Sequence, residues 1–320
     1  LSYDITNGVV EDKPHLLLEN SSTNLVKFSE NFTQWTLGSN AILTFESDIE
    51  APDGTLGVYR LKLPATGSTF IQSNSFSSSN PLSVSIYAKA TGTGDDNFNL
   101  YTGGSNISPL KTATDKWQRF EYTASGTNFF LINSGDSFIT DIYIWGAQAE
   151  ALSYPTSLIP TAGTTITRAA ETCNNSKPSI NSTEGVLYAE IAALANDGTF
   201  RQLTISDSST SDRVSIDFTS TNNQIRSFCS SGGGTVANMT GSVTDATQFN
   251  KVAVKYKLND YALYINGSEV ATDTSGAEPV GLQEIAFNNG GGSNIFYGKV
   301  KGLAVYNEEL TDAQLITLTS

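Results

Sequence analysis

Three stretches of this chain set aromatic and polar side chains on one parity of an apolar alternation. In Leu82–Lys89, the apolar residues Leu82, Val84, Ile86 and Ala88 leave Tyr87 and Lys89 on the other parity. In NFNLYTG, Phe98 and Leu100 leave Asn99 and Tyr101. In TDIYIWG, Ile142 and Ile144 leave Asp141, Tyr143 and Trp145. Successive strand residues point to opposite faces, so one parity faces the core and the other faces out. Tyr87, Lys89, Asn99, Tyr101, Asp141, Tyr143 and Trp145 are therefore expected to share an outer sheet face. Aromatic rings accept the CH faces of sugars, and neighbouring polar groups bond the hydroxyls. The chemistry on offer is carbohydrate binding. The competing reading is that segment 150–165 covers this face and turns its aromatics into a second small core.

Catalytic chemistry is sparse. The chain has one histidine, His15, which leaves little room for a Ser/His/Asp group or a His-rich zinc site. Glycosidases need two carboxylates about 5–10 Å apart. No E-x-D-x-x-E run occurs, and Glu190 stands alone in VLYAEIAA. Asp95–Asp96 and Glu308–Glu309 are adjacent pairs whose members point apart on a strand. The glycine runs 232–234 and 290–292 lack the lysine and helix of a phosphate cradle and read as loop tips. The net charge of −14 argues against nucleic acid or an anionic membrane as the main partner. No apolar run is long enough to cross a membrane as a helix. An enzyme is not expected.

The elements that must carry these residues are short strands. Val214, Ile216 and Phe218 alternate with polar neighbours, as do Val252, Val254 and Tyr256. Asn259–Asp260 and Asn266–Gly267 read as hairpin turns, and Asp53–Gly54 and Asp197–Gly198 as further turns. The final element reads as a helix: Thr311 to Gln314 spells T-D-A-Q, a capping box, with Leu310, Leu315 and Leu318 available to face the body. Cys173 and Cys229 are the only cysteines, expected unpaired. Proline, glycine and serine concentrate between residues 155 and 182, which places a domain boundary there.

Two resemblances follow from particular segments. LLLENSSTNLVKFSENFTQW (16–35), VSIYAKA (84–90), KWQRFEYTA (116–124) and the run 142–171 occur in an order that resembles a module of bacteriophage tail and fibre proteins. YDITNG (3–8) resembles the lead-in to that module. The resemblance implies a jelly roll like a carbohydrate-binding module. EGVLYAEI (184–191), residues 251–270 and GKVKGLAVYNEELTDAQL (298–315) are similar to laminin-G or concanavalin-A-like sandwiches. That implies two curved antiparallel sheets, used in such proteins to bind glycans or to space and stabilise.

The expected architecture is all-β: two tandem antiparallel β-sandwich jelly-roll domains and one short C-terminal helix. The divisions are 1–165, a linker 166–182, and 183–320. A structural calcium is the one metal worth considering, because jelly rolls often hold one near their chain ends. Glu19 and Glu150, on candidate first and last strands, are its expected ligands; Asp48, Asp53, Asp95 and Asp96 read as solvated loop acids. The resemblances imply a non-catalytic protein of the virion surface that recognises cell-surface carbohydrate. Its partners would be a glycan, other virion proteins and further copies of itself, a trimer by analogy with fibres. The alternatives are a structural capsid or tail decoration, and a secreted bacterial adhesin or accessory module of a polysaccharide-degrading enzyme.

Overall fold

A computed structural model describes residues 2, 5, 6, 9, 10, 12–65, 69–76, 79–92, 96–133, 138–173 and 176–320. Most of YDITNG, and Asp95, lie outside them. Among the described residues the chain forms two units, all-β but for a single helical turn at Phe32–Gln34 and one short C-terminal helix. One comprises Leu1–Glu19 with Glu171–Ser320, the other Asn20–Ala170. This differs from the expected division, because the opening residues belong with the C-terminal unit. The reason is strand β1 (Leu16–Leu18), which pairs Leu18 with Gly298 and Leu16 with Val300. Leu18 is buried in the C-terminal core. The second unit is thus an insertion after residue 19. The chain leading in and the chain leading out are tied together: the Glu19 N–H donates to the Glu171 carboxylate (2.8 Å) and the Glu171 N–H to the Glu19 carbonyl (2.9 Å).

The inserted unit contains β2 (Ser22–Asn24), β3 (Ile42–Glu50), β4 (Leu56–Leu63), β5 (Thr69–Gln72), β6 (Ser79–Ala90) and β7 (Asp96–Gly103). It continues with β8 (Gln118–Gly126), β9 (Phe130–Asn133), β10 (Thr140–Glu150) and β11 (Ile166–Arg168). One antiparallel sheet runs β8-β6-β10-β4-β3, and the opposed sheet carries β7-β9-β5. Strand β11 returns to pair with β2. The alternation of β6 holds as expected: Leu82, Val84, Ile86 and Ala88 all face the core with Leu61, Phe98, Leu100, Leu131, Ile142 and Ile144. Trp35 is buried there, while Phe120 and Tyr122 pack against the core from β8. Trp117, one residue before β8, joins the opposite, outer face instead.

The C-terminal unit contains β12 (Glu184–Ala193), β13 (Arg201–Ser206), β14 (Arg213–Phe218), β15 (Gln224–Ser231) and β16 (Gly234–Ser242). It ends with β17 (Asn250–Lys257), β18 (Tyr261–Ile265), β19 (Ser268–Asp273), β20 (Glu284–Ala286), β21 (Gly298–Tyr306) and helix α1 (Asp312–Thr319). One sheet runs β19-β18-β17-β12-β21-β1 and the other β16-β15-β14-β13-β20. Their inner faces meet in a core that includes Leu187, Leu203, Ile216, Val254, Leu263 and Phe296. The expected turns are present, with Asn259, Asn266 and Gly267 at positive φ. The capping box forms as read: the Thr311 side chain accepts from the Gln314 N–H, and the Gln314 side chain accepts from the Thr311 N–H at 2.9 Å. Leu315 is buried against β12, β17 and β18, with Leu310 and Leu318 partly buried beside it. Both cysteines are free. Cys229 is buried, and burial pushes its thiol up to about 12.

Candidate functional site

The outer face of the β8-β6-β10-β4-β3 sheet brings together most of the residues expected to bind sugar. Trp145 sits opposite Tyr87, and Tyr143 lies between Lys89 and Arg60. Asp141 pairs in register with Lys62. Its carboxylate takes two hydrogen bonds from Arg60 (2.7 and 2.9 Å) and an ion pair from Lys62 (3.1 Å). The Arg60 hydrogen bonds, with Lys62, outweigh partial burial and hold Asp141 below the usual aspartate range.

Two corrections apply to this face, and the competing reading of segment 150–165 holds. Asn99 and Tyr101 are not on it. They lie on β7 in the opposed sheet, where Asn99 donates to the Ser108 carbonyl (2.9 Å) and Tyr101 to the Gly104 carbonyl (2.8 Å). Parity tells inward from outward but not which sheet a strand joins. Trp145 is only 7% exposed, so it offers no platform. It packs edge-on to Tyr87 (5.5 Å) in a cluster with Ala51, Val58 and Leu158. Segment 150–165 does cover this end of the face: Arg119 donates to the Thr156 carbonyl (2.6 Å) and lies 5.8 Å from the Tyr87 ring centre. Tyr87 and Trp145 are a second small core.

The calcium expectation also changes. Glu150 is fully buried, and its two oxygens accept from Ser22 Oγ (2.6 Å), Gln148 Nε2 (2.6 Å), Thr156 N (2.8 Å) and Thr156 Oγ1 (2.5 Å). Protein donors occupy the lone pairs a cation would need. Glu19 belongs to the other unit. Among the described residues, no group of three or more His, Cys, Asp or Glu is placed to hold a metal ion. Asp53 caps its own turn by accepting from Thr55 (2.9 and 2.7 Å), and Asp48 and Asp96 lie on strands β3 and β7 rather than in loops.

A second outer face, in the C-terminal unit, was not singled out from the sequence. Registers across β13, β14, β15 and β16 align Gln202, Asp217, Arg226 and Thr240 in one row. The next row is Thr204, Ser215, Phe228 and Asn238. Ser206, Arg213 and Ser230 follow. Apart from Phe228, every member is polar. Asn238 and Thr240 are exposed, and Phe228 and Arg213 are half-buried. Phe228 lies close to both guanidinium groups, at 4.9 Å from Arg213 and 5.2 Å from Arg226. Cations this close to a ring centre are attracted to its face.

Asp217 is fully buried and accepts from Arg226 Nε (2.8 Å) and Nη2 (2.7 Å). Burial raises its pKa, and Arg226 opposes that rise. Loop 288–294 walls one side. Asn288 and Asn289 fold it by accepting from the N–H groups of Gly290 (2.7 Å) and Gly291 (2.9 Å). The loop then takes Thr204 Oγ1 on the Asn288 carbonyl (2.5 Å) and Arg213 Nη1 on the Asn289 carbonyl (2.7 Å). Gly290 has φ +84°, and a Cβ there would collide with the Ser209 carbonyl and Ser206. The glycine run read as a loop tip is therefore the rim of this face. The sequence signal for the site was Phe228, an aromatic out of phase with Ile225 and Cys229, with an arginine two residues before it.

Several solved structures are similar to this chain. The CBM40 of Ruminococcus gnavus IT-sialidase, bound to α2,3-sialyllactose, is 17% identical over 43% of this chain and 83% of its own, with a TM-score of 0.37. A pentraxin of Limulus polyphemus is 11% identical over 74% and 82%, with a TM-score of 0.34. Domains LG4-5 of the mouse laminin α1 chain are 12% identical over 85% and 90%, with a TM-score of 0.29. Comparison with curated proteins gives no match. Residues 179–316, which hold every strand from β12 to β21, match the family model of the Concanavalin A-like lectin/glucanases superfamily.

Proposed function

We propose that this protein binds glycans without cleaving them, through the outer face of β13–β16. One observation carries the reading: a half-buried phenylalanine braced by two arginines, on a sheet face otherwise built from hydroxyl, amide and carboxylate groups and walled by an ordered loop. Half-buried Phe228 offers an apolar contact for sugar CH groups, and the exposed Asn238 and Thr240, with half-buried Arg213 and Arg226, offer hydrogen-bonding groups for hydroxyls; Gln202, Thr204, Ser206, Ser215, Asp217 and Ser230 are buried and support them. The lectin/glucanase match over the same residues supports it. A binding role is favoured over hydrolysis because glycoside hydrolysis needs two carboxylates facing one sugar bond. Asp217 is buried in an ion pair with Arg226, which leaves Glu284, beside Ser206 on β20, as the one other carboxylate of these rows among the described residues.

The setting we propose is the surface of a phage virion, in a fibre or spike, as the order of segments between residues 16 and 171 suggests. Many weak sites on a homo-oligomer would there give strong attachment. For the inserted unit we favour spacing and support, because Trp145 and Tyr87 are used in packing. A glycan array probed with the full chain tests the binding reading: binding to a defined set of glycans is expected, and a blank array contradicts it.

A further inference from the structure

The outer face of β13–β16 holds an arginine, Arg213, that forms no ion pair among the described residues. Within these four strands its rows carry the ionisable side chains Arg213, Asp217 and Arg226, and the third row continues from Ser206 to Glu284 on β20. Arg226 is committed, since both its Nε and its Nη2 donate to Asp217 Oδ2. Arg213 is not. Its partners are the Asn289 carbonyl, through Nη1, and the Phe228 ring. Its Nε–H is buried and meets no acceptor. Burial is the largest influence on the Arg213 guanidinium and works against its charge, while attraction to Asp217 is secondary. A ligand cannot reach this buried Nε; what is open to one is the half-exposed remainder of the guanidinium, whose partial desolvation is costly unless something acidic pairs with it. This happens in a chain of net charge −14, where, among the described residues, no carboxylate forms an ion pair with Arg213.

Resting on the glycan-binding reading, we propose that the sugar taken by this face is acidic, and that Arg213 receives its carboxylate. The fixed fork of a guanidinium matches the two oxygens of a carboxylate. Phe228 lies against the guanidinium groups of both Arg213 and Arg226 and braces the fork. Asn238 and Thr240, exposed on the neighbouring edge strand, are placed for hydroxyls of the rest of the chain. Loop 288–294 fixes the position of the fork through Asn289.

The test is an array in which each carboxylated glycan is printed beside its carboxyl-reduced, uncharged counterpart, with neutral and sulfated glycans alongside. Binding is expected on the carboxylated members and not on their reduced counterparts. Arg213→Gln should weaken that binding by about tenfold or more, the scale of one charge-assisted fork. Arg213→Lys, which keeps the charge and loses the fork, should fall between. The backbone NMR spectrum of each variant shows that the fold is kept. Equal binding of reduced and carboxylated partners would overturn the acidic-sugar proposal and leave the glycan reading standing. So would binding confined to sulfated glycans, or carboxylated-glycan binding that Arg213→Gln leaves unchanged. A wholly blank array would remove both.

Discussion

Glu150 and Asp141 show how two carboxylates of one strand take different roles from their surroundings. Glu150 is enclosed and bonded by four donors from Ser22, Gln148 and Thr156. Glu150→Ala strands those donors, so the inserted unit should lose about 3 kcal/mol, measured by chemical denaturation. Asp141 sits nearer solvent beside Arg60 and Lys62. Its folded pKa lies below its unfolded value of 3.8, so its contribution is present above pH 3.8 and is lost as pH falls through the folded value. Asp141→Asn should cost about 1 kcal/mol at pH 7, kept small by the exposure of Arg60. The gap to wild type should close as the pH is lowered below 3.8. A gap constant with pH would show that the ion pair contributes nothing. The acidic character of both residues was readable from the sequence. Their partners were not, because Ser22 and Arg60 are brought to β10 from far along the chain.

At the scale of elements, period-2 alternation described the interior well, and β6, β14 and β17 bury the residues it selects. It failed at β10. Gly146, at φ +62°, marks a register shift between Trp145 and Gln148. Before the bulge Ile142 and Ile144 face the core; after it Ala147 and Ala149 do. Gln148 and Glu150 thus share the outer side with Trp145, under segment 150–165. Glycine in a strand carried the hint of the bulge, and the covering by segment 150–165 was open in the sequence as the competing reading. A side chain at Gly146 would be strained and would press on Leu158 and Tyr87, at 3.1 and 3.2 Å from the added Cβ. Gly146→Ala should therefore cost about 1–3 kcal/mol in the unfolding of the inserted unit. An unchanged midpoint would mean that the bulge is easily remodelled. The C-terminal helix was legible to the residue because its signal is local, four residues of a capping box.

For the whole molecule, the all-β class and the antiparallel sandwiches followed from strands and turns that each occupy a few residues. The insertion did not. Strand β1 is three leucines in a row, with no alternation to show a face, and its partner β21 lies near the other end of the chain. Long-range pairing of so short a strand leaves no local mark. Leu18→Ala should destabilise the C-terminal unit by about 2–5 kcal/mol, although it lies ahead of the inserted unit in sequence. Residue-resolved hydrogen exchange would place the loss: faster exchange is expected in β21 and β12, and a loss confined to residues 20–170 would contradict the division. The proposed binding face was hidden for a related reason, since its rows join four strands and only their registers reveal that Arg213, Phe228 and Arg226 are neighbours.

The central claim is that glycan binding resides on β13–β16. The most direct measurement is calorimetric titration of an array-identified glycan into wild type, Phe228→Ala and Tyr143→Ala, each first shown to be folded. Phe228→Ala should lower affinity by at least about tenfold, the scale of one lost stacking ring, and Tyr143→Ala should bind as wild type does. Undiminished binding by Phe228→Ala, with loss on Tyr143→Ala, would contradict the account and return the site to the inserted unit.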